Sequence, residues 1–490
     1  MNKKNIDGHL PPRCQLLFTY PYLGFVNDHI AKILVCWLVA LSHISLVSAQ
    51  TANPPPPLKI DEAVELALAN YPAIKTARAQ ADAAKANIEL AQTTYLPRLD
   101  LLYQENRATR NNVFGALLPQ SIIPSISGPV LSSTSWESTF GSAAGTLFSW
   151  EPFDFGVRKA GVNVARAITN QANANINVSE LDVAASVADA FMALATNEQA
   201  VRAAEANILR AQTFADSVHV LVNNQLRAGS EAARADAELS VAKTQLLRAH
   251  QLSEISRASL AEALGIPGVA VSIVSDPLLE FPTNTSMELP KFDSHPLAIA
   301  QKSAIEVVQA REHVLARSYV PRFNLQGSVS GRGTGALTDG SFEGGWHGLL
   351  PNTPNYGIGM TVTFPGFDIF SIRARRHIEA GNEAVENARY EQTIEALKGQ
   401  YARAQALIDG ALQIARETPS ALAAAQQAER LTLERYKYGL ATVTDVADAQ
   451  RLLAQAEIDD RVARLNIWRA MLLAAKVHGD LKPFLQSVKH

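Results

Sequence analysis

The chain carries the same order of segments twice, and this repeat constrains its fold more than any single motif does. Residues 95–98 (YLPR) end an Ala-rich helical pattern and start an alternating one, and residues 319–322 (YVPR) do the same later in the chain. An aromatic and acidic turn, at 153–156 and again at 367–370, then precedes a very long helical pattern. A repeat of about 200 residues is too long for a solenoid unit, so it indicates duplication of a whole architectural half.

Each half contains two segments in which apolar and polar residues alternate, which is typical of β-strands. The strands are predicted at about 98–107 and 136–150 in the first repeat, and at about 321–331 and 355–364 in the second. Strands of about ten residues span a bilayer when they are tilted. Four strands cannot close a barrel, and an open sheet edge in lipid would leave backbone groups unpaired. We therefore expect several chains to share one barrel.

Two very long helices are predicted, at residues 157–226 and 371–438, where Ala is frequent and Gly and Pro are rare. At 1.5 Å per residue each helix would be about 100 Å long, which is more than a single globular domain needs. Each half thus follows the order helix, strand, strand, long helix, helix, and the fold class is mainly α with a β-barrel in the membrane. Aromatic residues at the strand ends fit a membrane-interface girdle, with ordinary core packing as the alternative; they are Phe148, Trp150, Phe364 and Phe367.

The N-terminus has the pattern of an export signal over residues 1–49, where an apolar run ends in a small-residue cleavage site. An uncleaved anchor is the alternative. Both cysteines, Cys14 and Cys36, lie in this segment, so an exported chain would have no disulfide. The remaining organisation is predicted as a Pro-rich linker at 50–57, a first repeat at 58–265, a crossover at 266–293, a second repeat at 294–480 and a C-terminal tail at 481–490.

Composition and motifs argue against several other functions. The formal charge of −3 offers no basic surface for nucleic acid. The histidines are scattered without metal-ligand spacing, and the Gly-rich segment 331–335 leads into more Gly and Ser instead of the helix that a phosphate loop needs. We therefore expect no enzyme activity, no metal and no cofactor.

With these parts in place, the sequence resembles the TolC-like outer membrane efflux proteins. The resemblance is carried, in this order, by residues 58–72 (LKIDEAVELALANYP), 91–99 (AQTTYLPRL), 153–165, 294–325 and 436–453 (YKYGLATVTDVADAQRLL). It implies a homotrimer, a trimeric α/β tube in which each protomer gives four strands to a shared twelve-stranded barrel. The helices would continue the tube through the periplasm.

The resemblance also implies a mechanism and partners. The trimer would be a passive gated duct in outer membrane lipid, docked through a periplasmic adaptor to an inner membrane pump of the RND, ABC or MFS type. Two alternatives remain open from the residues: the exit duct of a type I protein secretion system, and a periplasmic coiled-coil scaffold or adaptor that does not conduct.

The family's gate lies near the turns after the long helices, where Gly229 and Gly439 are the predicted turn residues. By this resemblance Tyr436, Asp445 and Asp448 line or latch the aperture, and Asp236 is the nearest acidic counterpart in the first half. A ring of three carboxylates around a threefold axis would attract cations.

Two features weaken this gate assignment. The family's latch has an Arg two residues after the turn Gly, a position that Ala441 occupies here. Thr442 and Asp445 also have the spacing of a helix start, so Asp445 has an alternative role as a cap. Arg227 is interpreted as part of a turn.

Overall fold

The structure is a computed structural model that describes residues 56–109, 134–282, 288–337, 341 and 343–488. The predicted signal peptide, most of the predicted linker at 50–57 and most of the loop after the first strand lie outside the described residues. All described residues belong to one compact structural unit, Pro54–His490.

The elements follow the predicted order in each half, which confirms a mainly α chain with a four-stranded sheet, while closure of the sheet into a shared barrel stays a prediction. The first repeat contains α1 (Ile60–Asn70), α2 (Pro72–Thr93), β1 (Arg98–Thr109), β2 (Ser138–Trp150), α3 (Val157–Asn223) and α4 (Gly229–Ala263). The second contains α5 (Pro296–Arg317), β3 (Arg322–Thr334), β4 (Thr353–Thr363), α6 (Asp368–Lys437), α7 (Val443–His478) and α8 (Lys482–Val488). Within the described part of the chain, no helix is both long enough and apolar enough to cross a membrane.

Helix starts follow local sequence chemistry. The first repeat opens with two helices instead of one continuous helix, because Pro72 keeps the preceding Tyr71 in an extended conformation with ψ 130°. Pro72 then fits the first turn of α2, where its missing N–H has no helical partner to lose. The long helices α3 and α6 contain 67 and 70 residues.

The four strands form one antiparallel sheet in the order β1-β2-β3-β4. Its register separates the side chains by polarity, because paired residues point to the same face. One face carries Leu99, Leu101, Tyr103, Phe148, Val329, Tyr356, Ile358 and Met360. The other carries Asp100, Gln104, Asn106, Ser149, Asn324, Gln326, Ser328 and Arg332. The sheet thus has a mainly apolar face, which also carries Glu105 and Arg107 toward the end of β1, and a mainly polar face, which also carries Leu102 and Leu147. Its open edges are β1 and β4.

The main core lies away from the sheet, where α1, the middle of α3 and the ends of α4 and α7 meet. The crossover packs against this core, and the Trp468 indole N–H donates to the Glu280 carbonyl at 3.1 Å. The predicted C-terminal tail, 481–490, is not a free extension over its described part. Its residues form α8, because Phe484 and Val488 bury their apolar side chains in the same core.

The aromatic residues predicted as a girdle lie at the helix-proximal ends of the strands. Trp150, Phe364 and Phe367 are exposed, and Phe148 is half-buried. The Trp150 indole N–H donates to the Tyr95 carbonyl at 3.1 Å. Exposed rings at this level are compatible with an interface girdle, which stays a prediction.

Candidate functional site

The two helical turns that end α3 and α6 pack against each other. A small apolar cluster joins them and contains Phe214, Ala215 and Val218 from α3, Ala232, Ala235 and Leu239 from α4, Tyr436 from α6, and Val443 and Val446 from α7. The repeat therefore brings its two equivalent hairpins together at one end of the long helices.

Both turns use the same backbone motif. After α6, Gly439 has φ +77°, its N–H bonds to the Tyr436 carbonyl, and the next N–H bonds to the Arg435 carbonyl. This is a Schellman cap, which needs a left-handed residue just past the helix. After α3, Gln225 holds the same position with φ +61°. Of the two predicted turn residues, Gly439 thus lies in the turn itself, whereas Gly229 is the first residue of α4.

The shared motif corrects the alignment of the two halves. Counting from Gln225 and Gly439, Arg227 corresponds to Ala441, and Glu231 corresponds to Asp445. Asp236 is therefore not the counterpart of Asp445. The first hairpin supplies the Arg that the second hairpin lacks, two residues after its left-handed turn residue.

Arg227 links the two hairpins through the side chain and backbone of Tyr436. Its guanidinium carbon lies 4.8 Å from the centre of the Tyr436 ring, and one guanidinium nitrogen donates to the Tyr436 carbonyl at 2.8 Å. The second terminal nitrogen of the guanidinium lies 3.7 Å from a Glu231 carboxylate oxygen. A guanidinium that combines a cation–π contact with a charge-assisted hydrogen bond is held in a fixed orientation.

Tyr436 is only 2% exposed, so it does not line an open surface as the aperture assignment allowed. Its hydroxyl donates to Glu231 at 2.9 Å, and its ring meets Phe214 edge-on at 5.1 Å between centroids. Burial, followed by the carboxylate of Glu231, raises the pKa of Tyr436 to about 12. The phenol therefore stays neutral and holds its hydrogen bond at physiological pH.

Asp445 caps α7. Its carboxylate accepts from the Thr442 backbone N–H at 2.8 Å and from the Thr442 hydroxyl at 2.9 Å, and its own N–H donates back to that hydroxyl. These hydrogen bonds from Thr442 lower the pKa of Asp445. The carboxylate is exposed but already occupied by the capping box.

The other two acidic candidates are exposed and pair with different partners. Asp448 lies 3.2 Å from Arg451, which also contacts Glu238 across the two hairpins at 3.1 Å. Asp236 lies 2.8 Å from His219 within the first hairpin. The structure thus brings Tyr436, Glu231 and Arg227 together, and leaves Asp236, Asp445 and Asp448 outside that contact.

Sequence reasoning missed Arg227 and Glu231. A signal was present in the sequence, because a leucine follows each turn residue. Aligning Leu226 with Leu440 superimposes the two hairpins without a gap. Aligning the glycines instead shifted the register by four residues. No group of three or more His, Cys, Asp or Glu side chains among the described residues could hold a metal ion.

Comparison with known proteins assigns the family. A model of the outer membrane efflux protein family matches residues 63–266 and 299–471, one span in each repeat. The chain belongs to this family. It is therefore an outer membrane efflux protein, and the duplicated halves seen in its sequence are the two spans that the family model recognises.

Solved structures of outer membrane channels share the fold of this efflux protein. The VceC outer membrane protein of Vibrio cholerae is 18% identical, with 86% of this chain and 96% of that chain covered and a TM-score of 0.65. The Campylobacter jejuni CmeC channel is 16% identical over 86% and 85% of the chains, with a TM-score of 0.65. The open state of the Neisseria gonorrhoeae MtrE channel is 20% identical over 86% and 89%, with a TM-score of 0.63. A comparison with curated protein sequences gives no match.

Proposed function

We propose that this efflux protein forms a homotrimeric exit duct in the outer membrane and acts passively, without enzyme activity. An inner membrane pump, docked through a periplasmic adaptor, would drive cargo through it. The observation that carries this proposal is the two-faced sheet. A sheet whose apolar side chains lie on one face and whose polar ones lie on the other suits a wall between lipid and water.

The open edges of the sheet support a shared barrel. β1 and β4 are the edge strands, and Tyr356, Ile358 and Met360 of β4 expose apolar side chains. In lipid an unpaired edge costs several kcal/mol for each free backbone group. Pairing β4 of one copy with β1 of the next removes both edges, and three copies give twelve strands.

The same reasoning favours the duct over a scaffold without a pore. A periplasmic scaffold would have no need for strands of 11 to 13 residues with one apolar face. The long helices, which continue from the strands, would form the periplasmic part of the tube. A type I protein secretion duct has the same architecture, and the partner pump distinguishes the two.

We propose that the contact of Arg227 with Tyr436 and Glu231 latches the periplasmic end. It ties the turn after α3 to the turn after α6 within one protomer, so the two hairpins cannot separate while it is intact. The resemblance places Asp445 and Asp448 near the aperture. Of the two, only Asp445 is engaged in the capping box, so Asp448 is the better candidate for an aperture residue. Opening would break the latch and move the hairpins apart.

Single-channel recording in planar bilayers tests this function. Trimers purified from outer membranes should show a small conductance, and Arg227→Gln should increase it or the open probability several-fold. Arg248→Gln is the matched control, since Arg248 is an exposed residue of the same hairpin and lies farther from the turn. If the wild type, Arg227→Gln and the control variant show equal conductance, the proposed duct stands and the proposed latch is rejected. No conductance from a folded trimer would favour the scaffold.

A further inference from the structure

A groove lies just below the sheet, where the first turns of α3 and α6 flank the last turns of α5. Its volume is about 430 Å³, which is within the size range of small-molecule sites. Its lining is mostly apolar and contains Gly161, Val164, Val314, Leu315 and Ile378. Two arginines, Arg311 and Arg375, and one acid, Glu379, complete it.

This groove lies on the same side of the protein as the polar face of the sheet. A second pocket adjoins it and shares Leu315 and Arg375 with it. That second pocket is also lined by Arg322 and Thr363, which are paired across β3 and β4. Arg322 lies two positions before Asn324, so both belong to the polar face. In the proposed trimer the polar face surrounds the channel, and the groove opens into it.

The two arginines of the groove are available for a ligand. Among the described residues neither Arg311 nor Arg375 has an ion-pair or hydrogen-bond partner. The neighbouring Arg376, by contrast, is held by Glu312 at 2.6 Å. The acid of the groove is itself engaged, since Glu379 accepts from the Asn382 amide at 3.3 Å. The groove therefore combines an apolar lining with two unpaired guanidinium groups and one carboxylate, so its positive charge is in excess.

We propose that this groove is a binding site for anionic amphiphilic small molecules on their way through the duct. The apolar lining would take a hydrophobic ring or chain, and the arginines would bind its carboxylate or sulfonate through charge-assisted hydrogen bonds. A threefold arrangement gives three such grooves at one level of the channel. This inference rests on the proposed function, because the groove faces a channel only in the trimer.

Fluorescent probes test the charge preference directly. Anilinonaphthalene sulfonate, an anion, and phenylnaphthylamine, its neutral analogue, would be titrated into the trimer in lipid nanodiscs. Replacing both arginines, Arg311→Gln with Arg375→Gln, should weaken sulfonate binding about tenfold or more and change the neutral probe little. The matched control is Arg166→Gln with Arg373→Gln. Each of these lies two positions from a groove residue on its helix, about 200° around it, and removes the same charge.

The same proteins in planar bilayers separate this inference from the proposed function. The anionic probe should cause brief blockades of the wild-type channel, and these should become about tenfold rarer or shorter only in the groove variant. If the channel conducts but both double variants bind and block alike, the groove is not the site and the duct stands. If the trimer does not conduct, the proposed function fails, whereas binding lost only in the groove variant would still show an anion site.

Discussion

The Arg227 guanidinium carbon lies 4.8 Å from the centre of the Tyr436 ring, and this contact joins the two halves of the duplicated chain. The same guanidinium donates to the Tyr436 carbonyl at 2.8 Å. One side chain thus fixes both the ring and the backbone at the end of α6. Because one guanidinium makes both contacts, loss of the contact with the ring should also weaken the hydrogen bond to the carbonyl. We therefore expect the two contacts to be coupled.

A double-mutant cycle with Arg227→Gln and Tyr436→Leu measures this coupling. Each single change should raise hydrogen exchange of the amides at 436–440 by about tenfold, since a cation–π contact and a charge-assisted bond together contribute about 1–2 kcal/mol. The double variant should add little to either single change. Additive effects, read by mass spectrometry of the same peptides, would show that the two residues act independently.

Tyr436 should resist deprotonation. Burial and the Glu231 carboxylate raise its pKa from 10 to about 12, so the folded state favours the neutral phenol. The stabilisation is complete below the unfolded pKa of 10 and disappears as pH rises through about 12. Tyrosinate formation would be followed by ultraviolet absorbance in the wild type and in Tyr436→Phe. The difference between the two titrations should contain one group with a pKa near 12. A difference spectrum that is complete near pH 10 would contradict the buried hydrogen bond.

Substitutions of Thr442 and Asp448 should have different effects, the first on stability and the second on ion selectivity, although both residues lie on the same hairpin. Thr442→Ala removes one half of the capping box and should cost about 1 kcal/mol, with selectivity unchanged. Asp448→Asn should leave stability unchanged and reduce cation preference, if three copies of this exposed carboxylate surround the aperture. Thermal unfolding and reversal potentials in a salt gradient measure the two effects. Unchanged selectivity in Asp448→Asn would remove Asp448 from the gate.

Most of the fold could be predicted from the sequence, because its signals are local and occur twice. Period-two alternation placed the four strands, and Ala-rich periodicity placed α3 and α6. The break before Pro72 and the packing of α8 were less visible. A helix of seven residues has too little periodicity to recognise, and the burial of Phe484 and Val488 explains why it is ordered.

The site was harder to predict, since its central contact is between residues far apart in sequence. Tyr436 was identified by resemblance, but its partners were not. Gln225 was overlooked because a non-glycine residue with positive φ gives no compositional signal. This hid the equivalence of Arg227 with Ala441, and with it the cross-hairpin contact.

His295 should make stability depend on mildly acidic pH. It is 2% exposed, its Nδ1 accepts the Leu297 N–H at 3.1 Å, and its Nε2 donates to the Lys476 carbonyl at 3.0 Å. Burial lowers the pKa of His295 below its ordinary 6.5, because the charged imidazolium would lose its hydration. The stabilisation is present above the unfolded pKa of 6.5 and is lost as pH falls through the lower folded value.

His295→Asn tests this pH dependence with a residue that still caps a helix. The wild-type melting temperature should fall between about pH 7 and pH 5 by more than that of the variant. His313→Asn is the control, because His313 is exposed on the same helix. Equal slopes in all three proteins would assign the acid sensitivity to other groups.

Two adjacent residues in the middle of β3 should distinguish the faces of the sheet. Val329 lies on the apolar face and is 64% exposed, whereas Ser328 lies on the polar face. Val329→Arg would put a charge against lipid near the membrane midplane and should destabilise the barrel by about 2–4 kcal/mol. Ser328→Arg would put the same charge in water and should be nearly neutral for stability.

Trimer yield in outer membranes and the temperature at which trimers dissociate measure this contrast. Each of the two variants is the control for the other, because both introduce an arginine at almost the same position along the strand. Because side chains alternate with a period of two, the two variants differ only in the face that receives the charge. Equal destabilisation would mean that the apolar face does not meet lipid, and a greater loss for Ser328→Arg would reverse the proposed orientation of the sheet.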